Sequence, residues 1–295
     1  MTRSLAIIGA GRVGRTLGRS LRESGWKIIF VATRTESTAQ KAAQFIGGGR
    51  ATIGLPTALT GAEAILLTVP DDAIAPVATD LARMIGAGLR GKIVLHTSGA
   101  LDASVLEPLR RRGAATGSMH PLQTFTGVNV PPLAGKVFAI EGDKLAVRTA
   151  RGIARTLGGL PVAVSAERKA LYHAAGAFGA GLVLALEESG VQLLQQAGLQ
   201  HREAQRALLS LTRQVLEHYE KLGAQKAWTG PLSRGDYGVV AAHENALQGA
   251  PPEFLAAYEA VSRLAARVLA TNPGAMLREL HKISKNRETA KAKGD

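Results

Sequence analysis

Short apolar runs alternate with amphipathic stretches through the first half of the chain. Runs at 5–9, 27–31, 64–69, 92–96, 115–119 and 137–141, bounded by turn residues, predict strands, with a last short strand at 161–164. Between them, 14–24, 38–47 and 74–86 carry apolar residues at helical spacing. Strands alternating with helices predict a parallel sheet covered on both faces. After Ser165 the pattern changes: 167–197, 202–222 and 252–269 read as long helices, and no strand signal falls among them. The intervening 223–249, punctuated by Gly, Pro and Asp, reads as a loop with one short helix. The expected architecture is α/β: a doubly wound parallel sheet in 1–165, an all-α C-terminal domain in 166–281, and a basic, disordered tail in 282–295.

Composition narrows the chemistry. Among 295 residues there is no cysteine, which excludes disulfides, thiolate metal sites and a cysteine nucleophile, and fits a reducing, cytoplasmic setting. Met1-Thr2-Arg3-Ser4 leads into too short an apolar run for a secretion signal. The apolar stretch 174–186 is interrupted by glycines and closed by Glu187-Glu188, so it is expected to be too short for a membrane and to form a buried helix. The net charge of +13 would suit a polyanion, but apart from Arg110-Arg111-Arg112 and the tail cations Lys282, Lys285, Arg287, Lys291 and Lys293 the bases are spread thinly. With 4% aromatic residues there is no stacking platform, so nucleic acid is not the expected partner. No metal site is expected: the seven histidines form no ligand motif.

The first strand runs into Gly9-Ala10-Gly11-Arg12-Val13-Gly14, a GxGxxG directly after a strand and opening a helix. Such glycines permit a tight turn, an approach of a pyrophosphate to the backbone, and close helix–strand packing, with the helix N-terminus stabilising the phosphates. This is the fingerprint of a Rossmann dinucleotide-binding domain. The second strand is followed by Thr33-Arg34-Thr35, where an NAD site usually offers a carboxylate to the ribose. Hydroxyls and a guanidinium suit a 2′-phosphate, which predicts NADP over NAD, with Arg12 as a second cation; the alternative is that Glu36 serves as the carboxylate. Val69-Pro70 lines the cofactor crevice in this reading, and Asp71 and Asp72 are read as caps of the next helix.

Polar residues at two further strand ends enter the same crevice: His96-Thr97-Ser98-Gly99, and Ser118-Met119-His120-Pro121-Leu122-Gln123-Thr124-Phe125. Ser98 and His120 are the stronger candidates, because His96 falls within the strand. Lys169 and His173, four apart, share one helix face with Tyr172 beside Lys169. At the edge of an apolar segment they are either a proton donor pair or a surface ion pair. Arg234 could hold a substrate carboxylate, with Asp236 nearby, or the two could simply fix their own loop.

Taken together, the GxGxxG, Val69-Pro70-Asp71, His96-Thr97-Ser98-Gly99, His120-Pro121, Lys169 with Tyr172-His173-Ala-Ala, and Gly230-Pro231 with Arg234-Gly235-Asp236 carry a resemblance. To about Leu280 the chain resembles bacterial proteins that join a Rossmann-like domain to a C-terminal helical domain of unknown function. That family is similar to the 6-phosphogluconate dehydrogenase-like reductases, whose relatives include ketopantoate reductase, pyrroline-carboxylate reductase, prephenate dehydrogenase and deazaflavin-dependent NADP oxidoreductases. His120-Pro121 resembles the His-Pro of prephenate dehydrogenases. Lys169 falls where hydroxyacid dehydrogenases of the superfamily have a catalytic Lys, and His173 where they have Asn. Gly179-Ala180-Gly181 replaces an Ala-Ser-Asn of the family pattern. The resemblance implies an NADP-dependent oxidoreductase acting on a carbonyl or imine carbon of a small, carboxylated substrate, and a homodimer formed through the helical domain. A non-catalytic NADP-binding sensor is the alternative.

Overall fold

The computed structural model describes the backbone of residues 4–127 and 129–294, and side chains as far as residue 289. The chain forms two compact units, 1–180 and 181–295. The first is built on eight strands: β1 (Ser4–Ile8), β2 (Lys27–Thr33), β3 (Arg50–Ile53), β4 (Ala64–Leu67), β5 (Ile93–His96), β6 (Ala115–Pro121), β7 (Val137–Gly142) and β8 (Leu160–Ala163). Their order is β3-β2-β1-β4-β5-β6-β7-β8. The sheet is mostly parallel; β7 runs antiparallel to β6. Strand order reverses beside β1, between β2 and β4, so a crevice opens at the carboxyl ends of these strands.

Helices α1 (Arg12–Glu23), α2 (Glu36–Ile46), α3 (Asp71–Ile85) and α4 (Lys144–Thr156) cover the sheet. The period of two along β1 divides the core: Leu5 and Ile7 join Leu17, Leu21, Ile46 and Ile153 on one face. Ala6 and Ile8 join Phe30, Ile74, Ala78 and Leu81 on the other. Strand β3 and helix α4 have no counterpart in the expected elements. The first is a short edge strand with no apolar run, and the second buries mainly alanines, Ala146, Ala150 and Ala154, around Ile153.

The long helix expected over 167–197 is interrupted at Gly179-Ala180, giving α5 (Lys169–Phe178) and α6 (Gly181–Gln196). The division between units therefore falls after Ala180, not at Ser165, and α5 belongs to the first unit. The expectation of a buried helix needs correction as well. Phe178, Leu182 and Leu184 are 58%, 49% and 69% exposed. By length and composition alone, Ala166–Gln196 would suffice to cross a membrane.

The second unit continues with α7 (His201–Leu222), α8 (Tyr237–Leu247), α9 (Pro252–Leu269) and α10 (Pro273–Gly294). A small core gathers Val240, Ala266, Met276 and Leu280. The 223–249 segment thus holds an 11-residue helix, longer than its Gly and Pro content suggests. Residues from 282, expected as a disordered tail, continue helix α10. Arg287 is anchored there by Glu244 and Glu259, each 2.5 Å away and all three largely buried. The side chains of Lys291 and Lys293 lie outside the described residues.

Candidate active site

The loop between β1 and α1 has the geometry that a dinucleotide requires. Gly9 adopts φ +89, and a Cβ there would fall 2.4 Å from Val69 Cγ1 and 2.7 Å from the Val69 amide nitrogen. At Gly14 a Cβ would meet Thr68 Oγ1 at 2.3 Å and the Gly9 carbonyl oxygen at 2.8 Å. Thr68 donates to that same carbonyl at 2.5 Å, tying the turn to β4. Gly11, by contrast, has no heavy atom within 4 Å of its Cβ position. Two glycines are closed in by protein and the middle one faces open space, where a pyrophosphate would approach. No acidic residue occupies the first turn of α1, which Arg12 opens. Ala10 and Val13 pack into the core, and Pro70 is the N-cap of α3. The residues present fit a nicotinamide dinucleotide.

At the end of β2, Thr33 Oγ1 donates to the Thr35 carbonyl at 2.9 Å, and Thr35 is the N-cap of α2, accepting from the Thr38 amide. These two hydroxyls are engaged by their own backbone. Arg34 is exposed and has no ion-pair partner among the described residues, whereas Glu36 accepts from Gln40 at 3.0 Å.

Beyond β5 the polar residues lock one another. His96 is fully buried; its Nδ1 accepts from the Ser98 amide at 3.2 Å, so Nε2 carries the proton and donates to the Asp102 carbonyl at 3.1 Å. Burial, then the nearby Lys169 charge, push it down to about 4. Ser98 donates to Asp71 Oδ2 at 2.8 Å and accepts from the amides of Ala100 at 3.2 Å and Leu101 at 3.0 Å. Its hydroxyl has no capacity left for a substrate, which removes the direct catalytic role expected of it. Asp71 makes no side-chain cap on α3 and instead holds Ser98, another departure from expectation.

Two histidines converge on an open cleft of about 430 Å³ lined by His120, Leu122, Gln123, Thr124 and His173 among others. His120 Nδ1 lies 2.9 Å from the Tyr172 hydroxyl, and its ring stands edge-on to that of His173 with centroids 5.8 Å apart. Gly99 makes the arrangement possible, since a Cβ there would sit 2.7 Å from His173 Cδ2 and 2.8 Å from His120 Nε2. Burial foremost, then His173 and Lys169, push His120 down to about 4. Burial pushes the Tyr172 phenol up to about 12, so it keeps its proton.

Lys169, from the same helix, is 1% exposed and lies outside the cleft lining. Its Nζ donates to Ser118 Oγ at 2.5 Å and to the Ser98 carbonyl at 3.1 Å. Burial lowers its pKa; Glu141, then Asp102 and Asp71, oppose that shift. Tyr172 and Ser118 were noted beside Lys169 and His120 without a role, and Glu141 did not stand out. Ser118 precedes His120 by two on β6 and shares its face. Arg234 and Asp236 belong to the second unit and pair with each other at 2.9 Å, as the simpler reading of that loop held.

Known proteins resemble the chain in two segments. Residues 2–121 match the Rossmann-like domain model, and residues 136–265 match a domain of unknown function, DUF2520. No curated protein matches the sequence. Among solved structures, a provisionally assigned NADP oxidoreductase of Bacteroides fragilis superposes with a TM-score of 0.73 at 23% identity, covering 88% of this chain and 96% of that one. A reductive aminase of Aspergillus terreus, in complex with NADPH and ethyl-5-oxohexanoate, gives 0.63 at 17%, covering 90% and 94%. A pyrroline-5-carboxylate reductase of Coxiella burnetii gives 0.59 at 17%, covering 92% and 100%. At such identities the likeness establishes the fold. Residues 2–121 are thus similar to Rossmann-like domains and residues 136–265 to DUF2520 domains, on a fold shared with the superposed structures.

Proposed function

We propose that the protein is an NADP-dependent oxidoreductase that moves hydride to or from a carbonyl or imine carbon of a small, carboxylated substrate. The observation that carries this reading is His120 and His173 lining an open cleft, with the Tyr172 hydroxyl on His120 Nδ1, at the same sheet edge as a glycine cradle whose middle glycine faces open space. Bound NADPH would supply the hydride. The unpaired Arg34 favours the 2′-phosphate, because a free guanidinium gains a charge-assisted pair there. On this reading Tyr172 donates to His120 Nδ1, which leaves the proton of the neutral imidazole on Nε2 to orient a substrate oxygen. His173, exposed in the cleft, transfers the proton, and Lys169 supplies a fixed charge beneath.

The NADP oxidoreductase and reductive aminase among the solved structures support the cofactor class. The test is NADPH consumption against a panel of oxo acids and imines; tight NADPH binding with no turnover on any member would favour the sensor alternative. Arg234 remains the proposed carboxylate holder, and Arg234→Ala should raise KM with little change in kcat.

We also propose a soluble, cytoplasmic homodimer, in which a second copy covers the exposed apolar residues of α6 and α7, Leu182, Leu184, Leu211 and Leu216 among them. Glu187 and Glu188 lie within the span Ala166–Gln196, and carboxylates in hydrocarbon are expensive, which favours protein over lipid as the cover.

A further inference from the structure

A buried ammonium needs compensation, and Lys169 is placed where that need is acute. Its side chain lies among Ser98, Ser118 and His96, with 1% of its surface exposed. Four ionisable groups face it from the surrounding elements: His96 of β5, Asp71 at the start of α3, Asp102 after β5, and Glu141 of β7. His120 senses it in turn. Two of the carboxylates are committed elsewhere. Asp71 accepts from the Ser98 hydroxyl at 2.8 Å, and Asp102 accepts from the Ser104 amide at 2.7 Å.

Glu141 differs. It lies directly opposite Ser118 in the antiparallel β6–β7 pair, so the two side chains share a face. Ser118 Oγ accepts from Lys169, and the register places the Glu141 carboxylate beside the same hydroxyl. The other carboxylate oxygen, Oε1, is buried with no hydrogen-bond partner. Burial raises the pKa of that carboxyl, and the Lys169 charge opposite offsets part of the shift, as a neutral side chain there could not do for the ammonium in return.

We propose that Glu141, acting through Ser118, is the positioning residue that keeps Lys169 an ammonium at neutral pH. Two of the Lys169 N–H bonds are fixed by Ser118 and the Ser98 carbonyl, and its charge acts from beneath the cleft wall. The crevice so held charged selects ligands that carry or develop an oxyanion beside the reacting carbon. That last consequence rests on the reductase reading; the charge relation does not.

The experiment separates the two. Lysine-selective 13C labelling follows the Lys169 side-chain carbon beside Nζ by NMR through a pH titration of the full chain, with no cofactor or substrate present, and Lys169→Arg assigns the signal. Glu141→Gln is expected to lower the Lys169 midpoint by about one pH unit or more, as loss of a close opposite charge does. Glu141→Asp should recover part of the shift. Ser118→Ala, which cuts the bridge and keeps the carboxylate, should also lower it. Asp102→Asn should move it less than Glu141→Gln does. An unmoved midpoint in Glu141→Gln, or a larger shift in Asp102→Asn, overturns the proposal. Failure of NADPH turnover on every substrate would sink the reductase reading and leave this result standing.

Discussion

Alanine at Gly11 and alanine at Gly14 should have opposite consequences, although both add one methyl group to the same loop. At Gly14 the new carbon would lie 2.3 Å from Thr68 Oγ1 and 2.8 Å from the Gly9 carbonyl oxygen. Relief requires either Thr68 to abandon its bond to Gly9 or α1 to lift from β1. Losing that hydrogen bond costs about 1 kcal/mol, and overpacking a filled site adds roughly 1–3 kcal/mol. The sum, about 2–4 kcal/mol, corresponds to a fall in Tm of roughly 4–16 °C for a unit of this size. At Gly11 no heavy atom lies within 4 Å, and φ −73, ψ −154 is open to any residue, so the unliganded protein should melt within about a degree of wild type. The same methyl fills the space where the pyrophosphate would rest, and NADPH affinity should fall at least about tenfold, near 1.4 kcal/mol. Differential scanning fluorimetry without ligand and isothermal calorimetry with NADPH measure the two effects. A Gly11→Ala variant that binds NADPH as wild type does, or that melts as early as Gly14→Ala, would refute the cradle.

Arg34→Asp should weaken NADPH by about 1.5–3 kcal/mol, the strength of a charge-assisted bond, and spare NADH; equal losses for both cofactors would refute the 2′-phosphate assignment. His96 is held neutral with a pKa near 4 against 6.5 when unfolded. Its contribution is therefore complete above pH 6.5 and lost as the pH falls towards 4, about 3 kcal/mol in all. Urea unfolding should show stability declining over that window, and His96→Gln should flatten the decline. Tyr172→Phe should reduce turnover about tenfold or more without altering NADPH affinity, as the loss of an orienting hydroxyl predicts. Leu184→Glu should convert the dimer to monomer by light scattering; a wild-type protein already monomeric would remove the proposed apolar interface.

Most strand positions and the cradle were legible because their signals are local. Leu5 to Gly14 writes strand, turn and helix in ten consecutive residues, each glycine with a separate steric duty. The edge strand β3 was not legible, since Arg50-Ala51-Thr52-Ile53 is half exposed and neither alternates nor clusters. Ser98 was recognised as polar at a strand end, but no sequence pattern shows that Asp71, 27 positions earlier, would take its proton. Glu141 was read only as the last residue of a strand. Its importance comes from cross-strand register with Ser118, which depends on β7 running antiparallel, and nothing before residue 137 requires that direction. Lys169 was visible as an ionisable residue at an apolar edge; that it would be buried beneath the cleft wall was not.

The interruption of the long helix at Gly179-Ala180 leaves Lys169, Tyr172 and His173 in the same compact unit as the glycine loop. The glycine loop and the histidines of the cleft thus share one compact unit of 180 residues, so their spacing depends on that unit's packing alone. Insertions, deletions and drift in the residues that follow can accumulate without disturbing their spacing.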